Sequence, residues 1–277
     1  MNKIKVEIVK NVRTDTRCYM RYLGGKTRNA KWIAKEIVNN RTSGQTFIEP
    51  FCGGLSISFA VDKESTYQNK QGKMLLCDIH PGLINLYKGL QDNTFIIPDK
   101  ICTQEDYQTL SKNFNAHSPY DTMIGFGLSY AGKWWGGYDN YYDKRGQLGH
   151  TWNMLVNSLS KVKKLSSAEF KCIPYQELDP VDCIIYADPP YNNTTEYKFI
   201  NKFDTEEFWN IMRKWSKHNK VFISEYSAPD DFISIAETKY KVQMCTIQKE
   251  KIEKLFVHNM QEKLTVVSGR IELPSKV

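Results

Sequence analysis

Asp188-Pro189-Pro190-Tyr191 concentrates more chemistry than any other stretch of this 277-residue chain. It follows the run Asp182-Cys-Ile-Ile-Tyr-Ala187, which reads as a buried strand, so the tetrapeptide stands at a strand's carboxyl end. The two prolines remove two backbone donors and stiffen the turn. What remains are acceptors, the Asp188 carboxylate and the Pro189 carbonyl, and one flat ring, Tyr191. An exocyclic amine on a planar base has two donors to offer these acceptors, and the base itself can stack on the ring. The pattern suits a pocket for an amino-purine or amino-pyrimidine. A rigid loop with a capping aspartate is the plainer use of the same residues.

Glu49-Pro-Phe-Cys-Gly-Gly-Leu55 is the second site, where an apolar strand hands over to a helix. Glycines there let backbone N–H groups and a helix N-terminus come close to a ligand. Asp78 closes the next apolar run and is placed to accept from ribose hydroxyls. Together they suggest a nucleoside-containing cofactor. The loop is not Gly-x-Gly-x-x-Gly, and no Gly-Lys-Ser/Thr follows a strand, so a dinucleotide and a phosphate-binding P-loop both fit poorly. A tight turn at Gly53-Gly54 and a helix cap at Asp78 are the competing uses.

The elements that must hold these residues alternate. Thr27 to Asn39 carries apolar residues at helical spacing, Phe47 to Phe51 is a strand, Leu55 to Val61 a helix, Lys73 to Cys77 a strand and Pro81 to Leu90 a helix with proline in its first turn. After about residue 165 come strands at Phe170–Ile173, Asp182–Ala187 and Val221–Ser224, with a helix from Thr205 to about His218 capped by Asp204. Lys241–Thr246 and Ile252–His258 read as an antiparallel pair joined by a charged turn. This is the rhythm of a doubly wound α/β sheet. Residues 91–165 break it and read as an inserted small domain, because loops that long without their own fold are rare.

With these motifs in this order, the chain resembles the alpha class of DNA adenine-N6 methyltransferases, the Dam family. Tyr22-Leu-Gly-Gly-Lys26 is similar to the family's N-terminal cofactor motif. Phe47-Ile-Glu-Pro-Phe-Cys-Gly-Gly54, Asp78, the insertion and Asp188-Pro-Pro-Tyr191 follow in sequence, and Phe222-Ile-Ser-Glu-Tyr226 and Glu253-Lys-Leu-Phe256 look like its late strands. The resemblance implies a Rossmann-like doubly wound methyltransferase sheet with an inserted target-recognition domain. Its parts would be 1–90 and 166–277 for the catalytic domain and 91–165 for the insertion. It implies S-adenosylmethionine as cofactor, held by Tyr22, Lys26, Phe51, Gly53, Asp78 and Asp188, with Lys26 also balancing nearby carboxylates. It implies Asp188, Pro189 and Tyr191 as the catalytic set acting on a flipped adenine in double-stranded DNA. No metal is required.

The insertion is expected to read DNA. Phe126 to Trp152 holds eight aromatics in 27 residues, interleaved with glycines and with Lys133, Lys144 and Arg145. Lys133, Trp134, Asn140 and Arg145 are the candidate contacts, basic groups for phosphate and Asn140 or Arg145 for base edges. An aromatic mini-core on glycine turns is the alternative. The stretch lacks the Arg/Asn-rich hairpin of GATC readers, so that target is not carried over.

The charge distribution suits a polyanionic partner, nucleic acid before membrane, and equally a solubilising, partly frayed terminus. The net charge is +7, and residues 1–35 alone hold ten basic and two acidic residues. Seven scattered cysteines without a Cys-x-x-Cys pair argue against a disulfide framework and a structural zinc site and point to buried thiols in a reducing compartment. His80 and His150 stand at no metal-ligand spacing and read as surface or turn residues. No 18-residue apolar window and no signal-peptide core appear, so a cytoplasmic protein of a bacterial or phage-infected cell, away from membranes, is expected.

A monomer is expected, with a dimer on DNA as the alternative, and a cognate restriction nuclease stays open as a companion. A catalytically inactive DNA-binding relative and amine methylation of cytosine N4 or RNA adenine are the competing functions.

Overall fold

The computed structural model describes residues 20–139, 150–190, 203–244 and 247–261. Its centre is a seven-stranded sheet of β1 (Gly44–Glu49), β2 (Gly72–Asp78), β3 (Ala168–Cys172), β4 (Ile184–Ala187), β5 (Lys220–Glu225), β6 (Phe232–Met244) and β7 (Ile247–His258), in the order β3-β2-β1-β4-β5-β7-β6. β3, β2, β1, β4 and β5 run parallel, and β7 is antiparallel to both β5 and β6. The doubly wound α/β fold expected from the sequence is present.

Both faces of the sheet are covered, and strand alternation decides what each face meets. Phe47, Met74, Leu76, Ile184, Tyr186, Phe222, Leu255 and Val257 join one apolar cluster with α1 (Ala30–Asn39) and α3 (Pro81–Asp92). Ile48, Ile185, Ala187, Val221, Ile223 and Phe256 join a second with α7 (Thr205–Ser216). On α1, Ile33, Ile37 and Val38 are fully buried, each contributing about 1.5–3 kcal/mol of transfer free energy. α2 (Ser56–Tyr67) packs beside α1.

The helices begin where local chemistry dictates. Asp204 accepts from the Glu206 and Glu207 N–H groups at 2.9 and 3.0 Å and starts α7 as read from the sequence. His80 caps α3 ahead of Pro81 and is fully buried, which settles it as a turn residue of the interior and not of the surface. Burial pushes its imidazole down to about 4, so it is neutral at physiological pH.

Residues 91–165 contain α4 (Gln104–Asn113), α5 (Pro119–Gly127) and α6 (His150–Leu159). Thr103 and Asp106 form a capping box on α4. α5 packs along α3, and Met123, Ile124, Phe126, Trp152 and Leu155 are part of the first apolar cluster. The last strand pair is longer than the sequence suggested. Lys249, Glu250 and Lys251, expected in a turn, are paired in β7 opposite Val242, Lys241 and Tyr240. β5 pairs only with residues 254–256 of β7, so much of the hairpin is a two-stranded ribbon, which need not present an apolar face to a core. No helix of the described residues is long and apolar enough to cross a membrane.

Candidate active site

The strand order reverses between β1 and β4, the place where ligands bind in open α/β sheets, beyond the strands' carboxyl ends. β1 delivers the glycine loop there and β4 delivers Asp188. Period-two alternation then puts acids on one face of the sheet. Glu49 follows Phe47, Asp78 follows Leu76, Asp188 follows Tyr186, and Glu253 precedes Leu255 on the same face. Lys26, on the approach to α1, faces two of them.

Lys26 is 5% exposed. Its Nζ lies 2.7 Å from Asp188 Oδ1 and 3.2 Å from Glu253 Oε1. Its backbone N–H donates to Ser56 Oγ at 3.1 Å, which fixes the segment against α2. Burial opposes the ammonium, but Asp188 and Glu253 outweigh it and hold the proton well above the usual lysine range. Glu253, 2% exposed, also accepts from Asn29 Nδ2. Burial pushes the Asp188 carboxyl up to about 7; Lys26 opposes that rise and Glu253 adds to it. The Asp188 side chain keeps 16% of its surface open, while Pro189 is buried. Beneath them the Tyr186 hydroxyl donates to Ser224 Oγ at 2.8 Å.

The glycine loop is held from the neighbouring strand. Cys52 N–H donates to the Cys77 carbonyl at 2.8 Å, and Gly53 N–H donates to Asp78 Oδ2 at 3.0 Å. The other Asp78 oxygen accepts from His80 N–H at 2.9 Å. Each carboxylate oxygen has two lone pairs, so these bonds leave Asp78 capacity for a hydroxyl. Burial pushes its carboxyl up to about 6. Gly53 takes φ +41, in the left-handed region, and a Cβ there would stand 2.8 Å from the Tyr22 ring. Tyr22 thus lies against the glycine loop, with its ring 5.0 Å from Phe126. Phe51 turns to the opposite apolar cluster, with ring centroids 5.1 Å from Tyr175 and 6.1 Å from Phe208.

Lys26, Asp188, Gly53, Asp78 and Tyr22 are therefore gathered at one end of the sheet. Tyr191, Asn140 and Arg145 lie outside the described residues. Lys133 is exposed; Trp134 beside it is half-buried, its ring 4.6 Å from both Phe126 and His80. With Phe114, Tyr107, Trp135 and Tyr138 this part of the insertion builds an aromatic core. It also touches the cofactor-side segment: Leu23 N–H donates to the Gly132 carbonyl at 3.0 Å, and Arg21 pairs with Asp139.

Glu253, Asn29, Tyr186 and Ser224 belong to the site but were not singled out as functional in the sequence. For Tyr186, Ser224 and Glu253 the signal is a polar group within an apolar strand, the last two inside the late-strand segments Phe222–Tyr226 and Glu253–Phe256; Asn29, at the N-cap of α1, carries none. Glu49 opens the glycine motif without a role of its own in the sequence reading; it is buried and accepts from Ser58, and burial raises its carboxyl well above the usual range. Among the described residues no group of His, Cys, Asp and Glu could hold a metal ion.

Residues 22–124 match the family model described as D12 class N6 adenine-specific DNA methyltransferase. That span carries Tyr22, Lys26, Phe51, Gly53 and Asp78 and stops short of Asp188. Over 203 residues the chain is 26% identical to a DNA adenine methylase of Haemophilus influenzae, covering 63% of this chain and 64% of that one, just under two thirds of the relative's length. Over 212 residues it is 27% identical to the retron Ec67 DNA adenine methylase of Escherichia coli, covering 69% and 70%. A solved rRNA methyltransferase, AviRa from Streptomyces viridochromogenes, aligns with a TM-score of 0.42 and 8% identity over 89% of this chain and 90% of that one. The resemblance read from the motifs is borne out by the D12 model and by both adenine methylases.

Proposed function

We propose that this chain, matched to the D12 class over residues 22–124, is an S-adenosylmethionine-dependent DNA methyltransferase acting on the exocyclic N6 amine of adenine. The observation that carries the reading is the meeting of Asp188 with Lys26 at the switch point, beside the glycine loop and Asp78.

The residues present fit the cofactor. Asp188 and Glu253 flank the Lys26 ammonium, and Glu49, Asp78 and Glu225 are further acids at this end of the sheet whose carboxyls burial raises. Acids held partly protonated by burial favour a cationic ligand, whose charge in turn favours their ionised forms. Asp78 and the glycine loop would hold its nucleoside and Tyr22 would support that loop. Phe51, from its place behind the loop, would brace it. S-adenosylmethionine, when bound, supplies an electrophilic methyl group on a sulfonium.

The chain's own part is orientation and charge. The adenine N6 lone pair is delocalised into the ring and is a weak nucleophile. Asp188 and the Pro189 carbonyl would accept its two N–H bonds, draw the nitrogen toward tetrahedral geometry and localise the lone pair for in-line attack. Neither a covalent enzyme intermediate nor a metal enters this scheme. The target is hidden in a duplex, so it must be flipped out at a cost of a few kcal/mol, offset in part by stacking on Tyr191.

Double-stranded DNA is the proposed partner, with 91–165 as the recognition insertion between the catalytic parts 1–90 and 166–277. Exposed Lys133 would meet phosphate, Trp134 would shape the aromatic core behind it, and Asn140 and Arg145 would reach bases. Mass spectrometry of nucleosides from DNA and RNA incubated with the protein and cofactor tests the assignment. N6-methyladenine in DNA is expected; N4-methylcytosine, or methylation confined to RNA, would move the reading to another amine.

A further inference from the structure

We propose that Glu253 of β7 is a positioning residue: held by Asn29, it fixes the Lys26 ammonium and, through it, the orientation and charge of Asp188. Glu253 lies 65 positions beyond Asp188, on an antiparallel strand separated from β4 by β5. Its side chain is nonetheless buried on the face that carries Asp188. One of its oxygens lies 3.2 Å from Lys26 Nζ and the other accepts from Asn29. A lysine has three donors and four rotatable side-chain bonds, and Lys26 Nζ also donates to the Gly24 carbonyl at 3.4 Å. Glu253 adds a charged anchor on the side away from Asp188, so the ammonium is held between two carboxylates rather than drawn wholly onto one.

The consequence falls on Asp188. Its Oδ1 is turned inward to Lys26, 2.7 Å away, which leaves the second oxygen to accept from a target amine. Without the second anchor the ammonium could close over both oxygens of Asp188 and compete with the substrate. Glu253 acts on charge too. The ionisable groups that bear on Asp188 are Lys26 ahead of α1, Glu49 at the end of β1, Tyr186 on β4, Glu225 on β5 and Glu253 on β7. Lys26 favours the Asp188 carboxylate, whereas Glu253 and Glu225 disfavour it. Glu253 therefore shares the lysine's charge and keeps Asp188 from becoming a locked, strongly stabilised anion.

The proposal rests on the reading of Asp188 as the amine acceptor, and the test separates the two. In the full-length protein, Glu253→Gln keeps the shape and removes the charge. The acid limb of kcat/KM for the cofactor should move down by roughly half a pH unit or more, since a like charge has gone. The rate at the plateau should fall about tenfold while the dissociation constants of S-adenosylmethionine and of duplex DNA change much less. The carboxyl ¹³C resonance of Asp188, followed against pH, needs no turnover and should show the same downward shift. An unmoved limb and an unmoved resonance, with wild-type rate, would overturn the proposal. A shifted resonance in a protein that transfers no methyl group would leave the coupling standing and defeat the proposed activity instead. If Glu253→Gln does not fold, Asn29→Ala decides: it removes an anchor of Glu253 but no charged group, so a reduced plateau rate with a limb that moves much less is expected, and a wild-type rate would overturn the proposal.

Discussion

At the scale of single residues, the site is governed by an ammonium shared between buried acids. Lys26→Met removes the charge and keeps the volume, leaving Asp188 and Glu253 without their cation. Breaking a buried pair from one side costs about 3–5 kcal/mol, and urea unfolding should show a loss of that order. Asp188, pushed up to about 7 by burial, must be ionised for the oxygen turned away from Lys26 to stay free of a proton and accept fully. Its protonated form replaces an acceptor with a donor, so kcat/KM for the cofactor should rise as pH increases through about 7. A bound sulfonium favours the carboxylate, so the limb in kcat, which reports the complex, should lie at lower pH. Coincident limbs, or a rate falling over that range, would contradict this. Asp188 and Lys26 were legible in the sequence because each sits in a compact motif. Glu253 was not, because its role arises only when β7 is laid antiparallel against β5, a pairing no local pattern specifies.

At the scale of elements, the handover from β1 to α2 decides how the glycine loop is presented. Gly53→Ala puts a Cβ into a left-handed residue and against the Tyr22 ring, 2.8 Å away. Strain of this kind costs about 1–3 kcal/mol. Calorimetry should also show weaker S-adenosylmethionine binding, since Tyr22 must move; unchanged stability and affinity would show that the loop tolerates a side chain. The helices and parallel strands were readable because apolar residues at helical or strand spacing faced a shared core. The hairpin was misjudged at its charged stretch: Lys249, Glu250 and Lys251 look like a turn, yet a ribbon paired mainly with itself accepts charged residues in a strand. Trp134 shows the same ambiguity in another form, because an aromatic beside a lysine and glycines serves a small core as readily as a ligand surface.

At the scale of the whole molecule, the alternation of strands and helices made the doubly wound sheet foreseeable, and the D12 match agrees with the order of its first motifs. The packing of α5 along α3 was not foreseeable, because aromatic and glycine-rich sequence carries little periodicity. The charge distribution is a property of the entire chain. Residues 1–35 net +8 while the rest nets −1. If that end attracts DNA, replacing Lys3, Lys5, Lys10, Arg13 and Arg17 with glutamine should weaken binding and lower the slope of log K against log salt by up to about 4.5, at roughly 0.9 per phosphate contact. An unchanged slope would assign the attraction elsewhere.

Single-turnover transfer of a tritiated methyl group from S-adenosylmethionine to duplex DNA, by wild-type protein and by Asp188→Ala, bears most directly on the mechanism. Label in adenine N6 with the wild type is expected, together with a loss of at least about 100-fold in the variant while its circular dichroism spectrum is kept. Undiminished transfer by a folded Asp188→Ala protein would contradict the account.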